Sequence, residues 1–275
     1  MVVYSNMHYS ESYANVGETG EWAAGKHRIP RGQRYGKYAE FFHLWDWSVC
    51  EMGGSKKVVL IDAMSSFKPW DTPHTFDSHR VGGGSILGNC TYSVYKRFAN
   101  EGHGNYGAGC RGIMECINIA KLIGGVMVYC EQDVLVHGDG REWASVLAER
   151  ALESHKLVTF TSHPKGIETG LWAAPVELLL DCQVVENYHF ALMSRGEMFA
   201  PLDKCFFEEW MHRTIGDENI DYADDLICGG RGGSINAPFT RPITMMTHFD
   251  RAKLEGFLKQ CGKEDLMQHF PKRSK

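Results

Sequence analysis

Several features of exported and membrane-bound proteins are missing from this sequence. No apolar stretch approaches the roughly 18 consecutive residues that a membrane span needs, so we expect a soluble globular protein. The first residues also lack the basic segment, apolar stretch and small-residue cleavage site of a secretory signal. The sequence therefore predicts a protein that stays in the cytoplasm.

Paired cysteines are also absent. The nine cysteines are scattered singly, their number is odd, and none forms a Cys-x-x-Cys pair. This pattern argues against a disulfide framework and against a structural zinc site, and it favours reduced, partly buried thiols.

The chain has no excess of positive charge. Its formal net charge is −5 and its pI is about 6.2. It therefore lacks the global basic field that supplies most non-specific affinity for nucleic acids. The clearest basic clusters are Lys26–Arg34 and the tail Lys272–Lys275, and the tail is most simply a solvated end.

What the sequence does contain is enough apolar material for a large core in 275 residues, of which 43% are hydrophobic. We predict strands at Met1–Ser5, Lys57–Asp62, Val126–Cys130, Leu157–Thr161 and Ile243–Thr247. We predict helices at Tyr38–Glu51, Cys110–Leu122, Arg141–Ser154, Leu202–Thr214 and Arg251–Cys261, with a helix or turn around Asp221–Cys228. This alternation predicts one α/β domain with helices on both faces of a mixed, mostly parallel sheet.

The predicted strand Val126–Cys130 runs directly into two carboxylates, Glu131 and Asp133. If the segment stays extended, both side chains point to the same side, while Gln132 points to the other. Two carboxylates on one side can share a hard cation such as Mg²⁺ or Mn²⁺, which takes its remaining ligands from water and phosphates. The alternative is that the pair simply ends a strand at the surface.

In this setting, Glu131-Gln132-Asp133 resembles a variant of the Asp-x-Asp motif of GT-A fold glycosyltransferases that use nucleotide sugars. The resemblance implies a single GT-A-like domain. Residues 1–135 would form the nucleotide-sugar half, residues 136–262 the acceptor half and residues 263–275 a tail. It also implies Mn²⁺ or Mg²⁺ bound to Glu131 and Asp133, with a nucleoside diphosphate sugar as the donor.

The resemblance extends to two further donor contacts. Asn105–Gly112 is similar to the Gly- and Arg-containing segment before the motif strand, which implies that Arg111 meets the diphosphate. Asp62, at the end of the second predicted strand, resembles the acid placed near the nucleobase or ribose. The residues alone also allow Arg111 to be a surface cation and Asp62 to cap a turn.

Towards the C-terminus, Asp224 and Asp225 resemble the acidic motif that supplies the catalytic base in inverting members of the family. A positioned carboxylate is needed because the acceptor hydroxyl must lose its proton as it attacks the anomeric carbon. Glu208 and Glu209 compete for this role, although their helical pattern is also typical of a solvated face.

Two other positions complete the resemblance. His248 is similar to the late histidine that serves some members as a third metal ligand or a diphosphate contact, although a lone histidine is more often structural. Residues 168–172 resemble the segment under the transferred sugar, with Glu168 in its first position, Gly170 allowing close approach and Trp172 able to stack on the ring. The alternative is a core tryptophan beside a turn glycine.

The resemblance implies a metal-dependent transferase that moves a sugar from a nucleoside diphosphate sugar to a carbohydrate or other hydroxyl-bearing acceptor. One alternative is a viral-type enzyme that glycosylates a modified base in DNA, which the acidic net charge disfavours. Another is a non-catalytic nucleotide- or polysaccharide-binding protein of the same fold. A Cys/His hydrolase ranks last, because no cysteine lies in a recognisable local signature.

Overall fold

The structure is a computed structural model. It describes residues 1–7, 41–62, 81–84, 90–96, 105–160, 166–193, 207–231, 241–247 and 251–269. Within these ranges the strands are β1 Val2–Met7, β2 Lys57–Asp62, β3 Val81–Gly84, β4 Thr91–Lys96, β5 Val126–Cys130, β6 Val134–Gly138, β7 Leu157–Thr159, β8 Leu171–Pro175, β9 Ile220–Tyr222, β10 Ile227–Arg231 and β11 Ile243–Thr247. The α-helices are α1 Phe41–Asp46, α2 Asn105–Ile123, α3 Trp143–Ser154, α4 Val176–Asp181, α5 Val184–Met193, α6 Phe207–Ile215 and α7 Arg251–Gln260.

Three shorter helical segments complete the described chain. Trp47–Met52 continues α1 as a π-helix, and 3₁₀ turns span Asp217–Asn219 and Glu264–His269. The second 3₁₀ turn buries Leu266 against the core. The basic residues 272–275 lie outside the described residues.

The main sheet has eight strands in the order β3-β4-β2-β1-β5-β8-β7-β9. The pairs β4/β2, β2/β1, β1/β5 and β7/β9 are parallel, and the other three neighbouring pairs are antiparallel. A smaller sheet has the order β10-β11-β6. The predicted mixed, mostly parallel α/β sheet is confirmed.

Helices cover both faces of the main sheet because successive strand residues point to opposite sides. Val3, Leu60 and Val128 lie in one apolar cluster with residues of α1, α3 and α7. Tyr4 and Ile61 lie in a second cluster with residues of α2, α4, α5 and α6. Strands that are buried on both faces read as continuous apolar runs, which is why β2 and β5 were visible in the sequence.

The sequence predicted β2, β5 and β11 with the observed bounds. The expected helix or turn around Asp221–Cys228 is partly confirmed, since residues 224–226 form a turn, but both ends of the range are strands. That region contributes to β9 and β10, because residues 220–222 pair in parallel with β7. Helix α2 also begins at Asn105, five residues before its expected start.

Among the residues that the structure describes, no helix has both the length and the apolar character needed to cross a membrane.

Candidate functional site

The carboxyl ends of β1 and β5 form the point where the order of the parallel strands reverses. From β1, the chain adds β2 and then β4 on one side, and β5 on the other. In open α/β sheets, ligands bind in the crevice outside the carboxyl ends of the strands at such a point. Glu131 follows β5 directly and therefore lies at this crevice.

Residues 131–134 form a tight turn between β5 and β6, so the expectation that this segment stays extended is wrong. The Val134 N–H donates to the carbonyl of Glu131 over 3.1 Å, which closes the turn. Glu131 and Asp133 are both partly buried, whereas Gln132 is buried. The directions of the two carboxylates are therefore set by the turn rather than by strand alternation.

Two contacts from distant parts of the chain hold the backbone of this turn. The Glu131 N–H donates to the carbonyl of Gly170 over 2.8 Å. The indole Nε1–H of Trp45 donates to the carbonyl of Glu131 over 3.0 Å. Because both partners lie in or beside packed elements, the turn has a defined position.

Gly170 lies in a close-packed position between Glu168, Val134 and Glu131. A Cβ added there would lie 3.0 Å from Glu168 Oε1 and 3.6 Å from Glu131 Oε2. Glu168 is buried, its Oε1 accepts from the Gly170 N–H over 2.9 Å, and the Thr159 hydroxyl donates to its carbonyl over 3.1 Å. Glu168 and Gly170 therefore lie next to Glu131.

The donor set fits a hard divalent cation. Glu131 and Asp133 offer carboxylate oxygens, and Mg²⁺ commonly takes only one or two carboxylates from a protein. Within the described ranges, no group of three or more His, Cys, Asp or Glu side chains is arranged to hold a metal ion. A cation here would thus complete its coordination with water and phosphate. His248 lies outside the described residues.

Asn6 is a buried polar residue at the same edge of the sheet, and the sequence analysis missed it. It is buried near the end of β1, and its Oδ1 accepts a 2.8 Å hydrogen bond from the hydroxyl of Tyr129 on β5. Its amide lies against α2, since a Cβ added at Gly112 would be 2.4 Å from Asn6 Nδ2. An asparagine ending an apolar strand was the available signal, because buried amides are rare unless they are hydrogen bonded.

Arg111 lies in the second turn of α2, beside Gly112, and is partly buried. Helix α2 leads from β4 to β5, so its N-terminus lies at the carboxyl edge of the parallel strands. The free N–H groups of that end belong to residues near 105 rather than near 110. A helix N-terminus favours an anion through these groups and through its dipole.

Asp62 is the last residue of β2, which neighbours β1 in register. Its backbone therefore lies at the same edge as Met7, its partner in the parallel ladder. Its side chain lies outside the described part of the chain.

Glu208 lies beside the start of the short segment that ends at Gly170. Burial raises the pKa of the Cys110 thiol well above its ordinary value, and the carboxylates of Glu208 and Glu131 raise it further. A Cβ added at Gly166 would lie 2.8 Å from the carbonyl carbon of Glu208. The short segment 166–170 thus contacts Glu208 at one end and Glu131 at the other.

Asp224 and Asp225 follow β9, three strands from β5 in the sheet. At the usual spacing of neighbouring strands, that separation is roughly 14 Å. Both side chains are exposed, and Asp225 Oδ2 lies 4.0 Å from Arg150 Nη1 on α3. They share the carboxyl edge of the sheet with Glu131, but they are not its neighbours.

Trp172 lies in the core. Its ring is fully buried and stacks on Tyr129 with ring centroids 5.4 Å apart. An enclosed ring offers no face to a sugar, so the packing role that the sequence left open applies at this position.

No family model matches the chain, and no curated protein sequence matches it either. Solved structures are similar to it in fold. The glycosyltransferase GlyE of Streptococcus pneumoniae TIGR4 matches with a TM-score of 0.50 at 10% identity, over 86% of this chain and 62% of that chain. S. aureus TarS 1-349 in complex with UDP matches with a TM-score of 0.43 at 9% identity, over 96% of this chain and 65% of that chain. This chain spans less than two thirds of the length of either structure, and its fold is that of a GT-A-like α/β protein.

Proposed function

We propose that this protein transfers a sugar from a nucleoside diphosphate sugar to an acceptor hydroxyl. The observation that carries the proposal is the position of the Glu131–Asp133 turn, at the end of β5 and at the strand-order reversal of the sheet. Ligand sites of open α/β sheets lie at such points. The fold likeness to GlyE, a glycosyltransferase by name, agrees with the proposal.

In this proposal Glu131 and Asp133 hold Mn²⁺ or Mg²⁺ on the donor. When bound, the cation acts as a Lewis acid and neutralises charge on the leaving nucleoside diphosphate. Arg111 and the N-terminus of α2 attract the diphosphate, because a guanidinium and free backbone N–H groups both favour phosphate. Asp62 accepts from the base or ribose.

The transferred sugar would lie over residues 168–170, beside the carboxylates of Glu131 and Glu168, where Gly170 adds no side chain to a close-packed position. The acceptor hydroxyl must lose a proton, and a carboxylate within reach can take it. Glu208 is favoured for this role because the segment 166–170 approaches its backbone at one end and bonds Glu131 at the other. Asp224 and Asp225 are the alternative. Residues 1–135 would thus serve mainly the donor and residues 136–262 mainly the acceptor.

The first test is a thermal-shift panel of UDP, GDP, CDP, ADP and dTDP, each with and without Mn²⁺. A ligand that binds only the native state raises its stability by mass action, by about 2.7 kcal/mol at a hundred times its Kd. We expect one diphosphate to raise the unfolding temperature, and Mn²⁺ to increase that shift.

The second test compares Asp133→Ala with Asp139→Ala, which removes an exposed acid at the end of β6. Asp133→Ala should abolish Mn²⁺-stimulated turnover of the nucleotide sugar identified by the panel, while unfolding stays cooperative. Asp139→Ala should retain turnover. Equal activity in both variants would contradict the site.

Two other outcomes favour the alternatives. Tight diphosphate binding without any donor turnover would favour a non-catalytic binding protein. Strong, salt-sensitive binding to duplex DNA would favour a DNA acceptor, because neutralising phosphates makes affinity fall with salt.

A further inference from the structure

The helical segment Phe41–Met52, formed by α1 and the π-helix, contacts the chain on both sides of the acidic turn. Trp45 donates from Nε1 to the carbonyl of Glu131 over 3.0 Å. Three residues later, the Ser48 hydroxyl donates to the carbonyl of Val136 over 2.8 Å and accepts from its N–H over 2.7 Å. Residues three apart lie on one side of a helix, so a single helical face brackets residues 131–136.

This segment is itself held firmly. Trp45 and Ser48 are buried, and the Nε1–H of Trp143 on α3 donates to the carbonyl of Ser48 over 2.7 Å. On the adjoining turn, the buried carboxylate of Asp46 accepts from the hydroxyl of Tyr92 on β4. The indole of Trp45 is therefore fixed before any ligand binds.

The carbonyl of Glu131 accepts from the indole of Trp45 and from the N–H of Val134, and over 3.8 Å from the adjacent Cys130 thiol. The second bond belongs to the turn itself, whereas the first ties the turn to the rest of the protein. Losing the indole N–H would let the turn open more often and leave it less firmly oriented.

We infer that Trp45 is a positioning residue, whose indole N–H orients the Glu131–Asp133 turn towards a divalent cation and the donor diphosphate. This inference rests on the proposed function. Groups that orient the ligands of a metal matter for affinity, because a carboxylate held in place gives up less freedom on binding.

The test compares Trp45→Phe with Trp47→Phe. Both tryptophans are almost fully buried and lie two residues apart, so the two changes remove a similar part of a ring. The Nε1 of Trp47 is buried and has no hydrogen-bond partner among the described residues, so its loss does not affect the turn. The pair therefore isolates the contact to Glu131.

Mn²⁺ binding is measured by electron paramagnetic resonance, with Mn²⁺ alone and with the diphosphate that the thermal-shift panel selects. We expect Trp45→Phe to weaken Mn²⁺ binding about tenfold, the lower end of the losses seen when groups that orient metal ligands are removed. Trp47→Phe should stay within about twofold of the wild type, well below that range. Equal Mn²⁺ affinity in the two variants would overturn the inference.

Amide hydrogen exchange gives a readout that needs no ligand. The N–H of Val134 should exchange faster in Trp45→Phe than in Trp47→Phe, while amides of α3 exchange equally in both. Unchanged Val134 exchange would overturn the positioning role. A wild-type protein that binds neither Mn²⁺ nor any of the five diphosphates would instead overturn the proposed function, so the two failures are distinguishable.

Discussion

At the scale of single residues, Glu208 and Glu209 are adjacent in sequence but differ in their surroundings. Glu209 accepts a hydrogen bond from the Arg213 guanidinium one turn later on the surface of α6. Glu208 lies close enough to the buried Cys110 to raise the pKa of that thiol. Of the two, Glu208 therefore fits the proposed base better, and Glu209 serves as its comparison.

We therefore expect Glu208→Gln to lower turnover by roughly a hundredfold or more, the usual contribution of a general base. Binding of the nucleoside diphosphate should persist, because the change keeps the shape of the side chain. The measurement is steady-state turnover beside the thermal shift given by the diphosphate.

Glu209→Gln is the matched control and should keep most of the activity. If Asp224→Asn or Asp225→Asn causes the large loss instead, the base lies in the turn after β9 and the role given to Glu208 is wrong.

At the scale of elements, α2 packs on β1 so closely that a side chain at position 112 has no room. A Cβ added at Gly112 would lie 2.4 Å from both Cβ and Nδ2 of Asn6. The same helix carries Arg111, so its distance from β1 also determines where the guanidinium lies. A glycine in the middle of a helix is otherwise a cost to stability.

Gly112→Ala should lower the free energy of unfolding by about 1–3 kcal/mol, because inserting an atom into a filled space forces neighbours to move. Gly256→Ala in α7 is the matched control, since a Cβ there would meet nothing within 4 Å. That change should raise stability by about 0.5–1 kcal/mol through helix propensity. Urea denaturation measures both changes. If the two substitutions changed the free energy of unfolding in the same direction, the packing of α2 on Asn6 would be contradicted.

Element types that depend on distant pairing were the hardest to predict. Residues 220–222 form a strand because β7 pairs with them, and a three-residue strand leaves little periodicity to read. The turn at 131–134 was likewise hidden, since Glu131 and Asp133 at alternating positions suit either a turn or an extended segment.

At the scale of the whole molecule, buried thiols and phenols make stability depend on pH. Burial raises the pKa values of Cys110, Cys116 and Cys130 above their ordinary value of 9.0, and that of Tyr129 above 10.0. Above pH 9 the unfolded chain loses protons that the folded protein keeps. The contribution of these groups to the free energy of unfolding should therefore be complete below pH 9 and should fall as the pH rises.

Each such thiol should contribute a slope of about 1.4 kcal/mol per pH unit well above pH 9. Cys90, whose pKa is lowered by its hydrogen bond with Cys50, is deprotonated in both states in that range and adds no slope. Urea denaturation between pH 7.5 and 10.5 measures the slope. Cys116→Ala should make the slope shallower by the contribution of one thiol. A flat profile up to pH 10.5 would contradict the burial of these groups.

The sequence alone determined the α/β class, the strands β2, β5 and β11, and the carboxylates at the end of β5. These features are local, because apolar runs and turn residues act over a few neighbouring positions. Only the tertiary structure decided that Glu168 lies near Glu131, that Asn6 bonds Tyr129, that Trp172 belongs to the core, and that Trp45 holds the turn. Those contacts join residues far apart in the chain, and their geometry depends on how helices pack on a sheet, which no local pattern encodes.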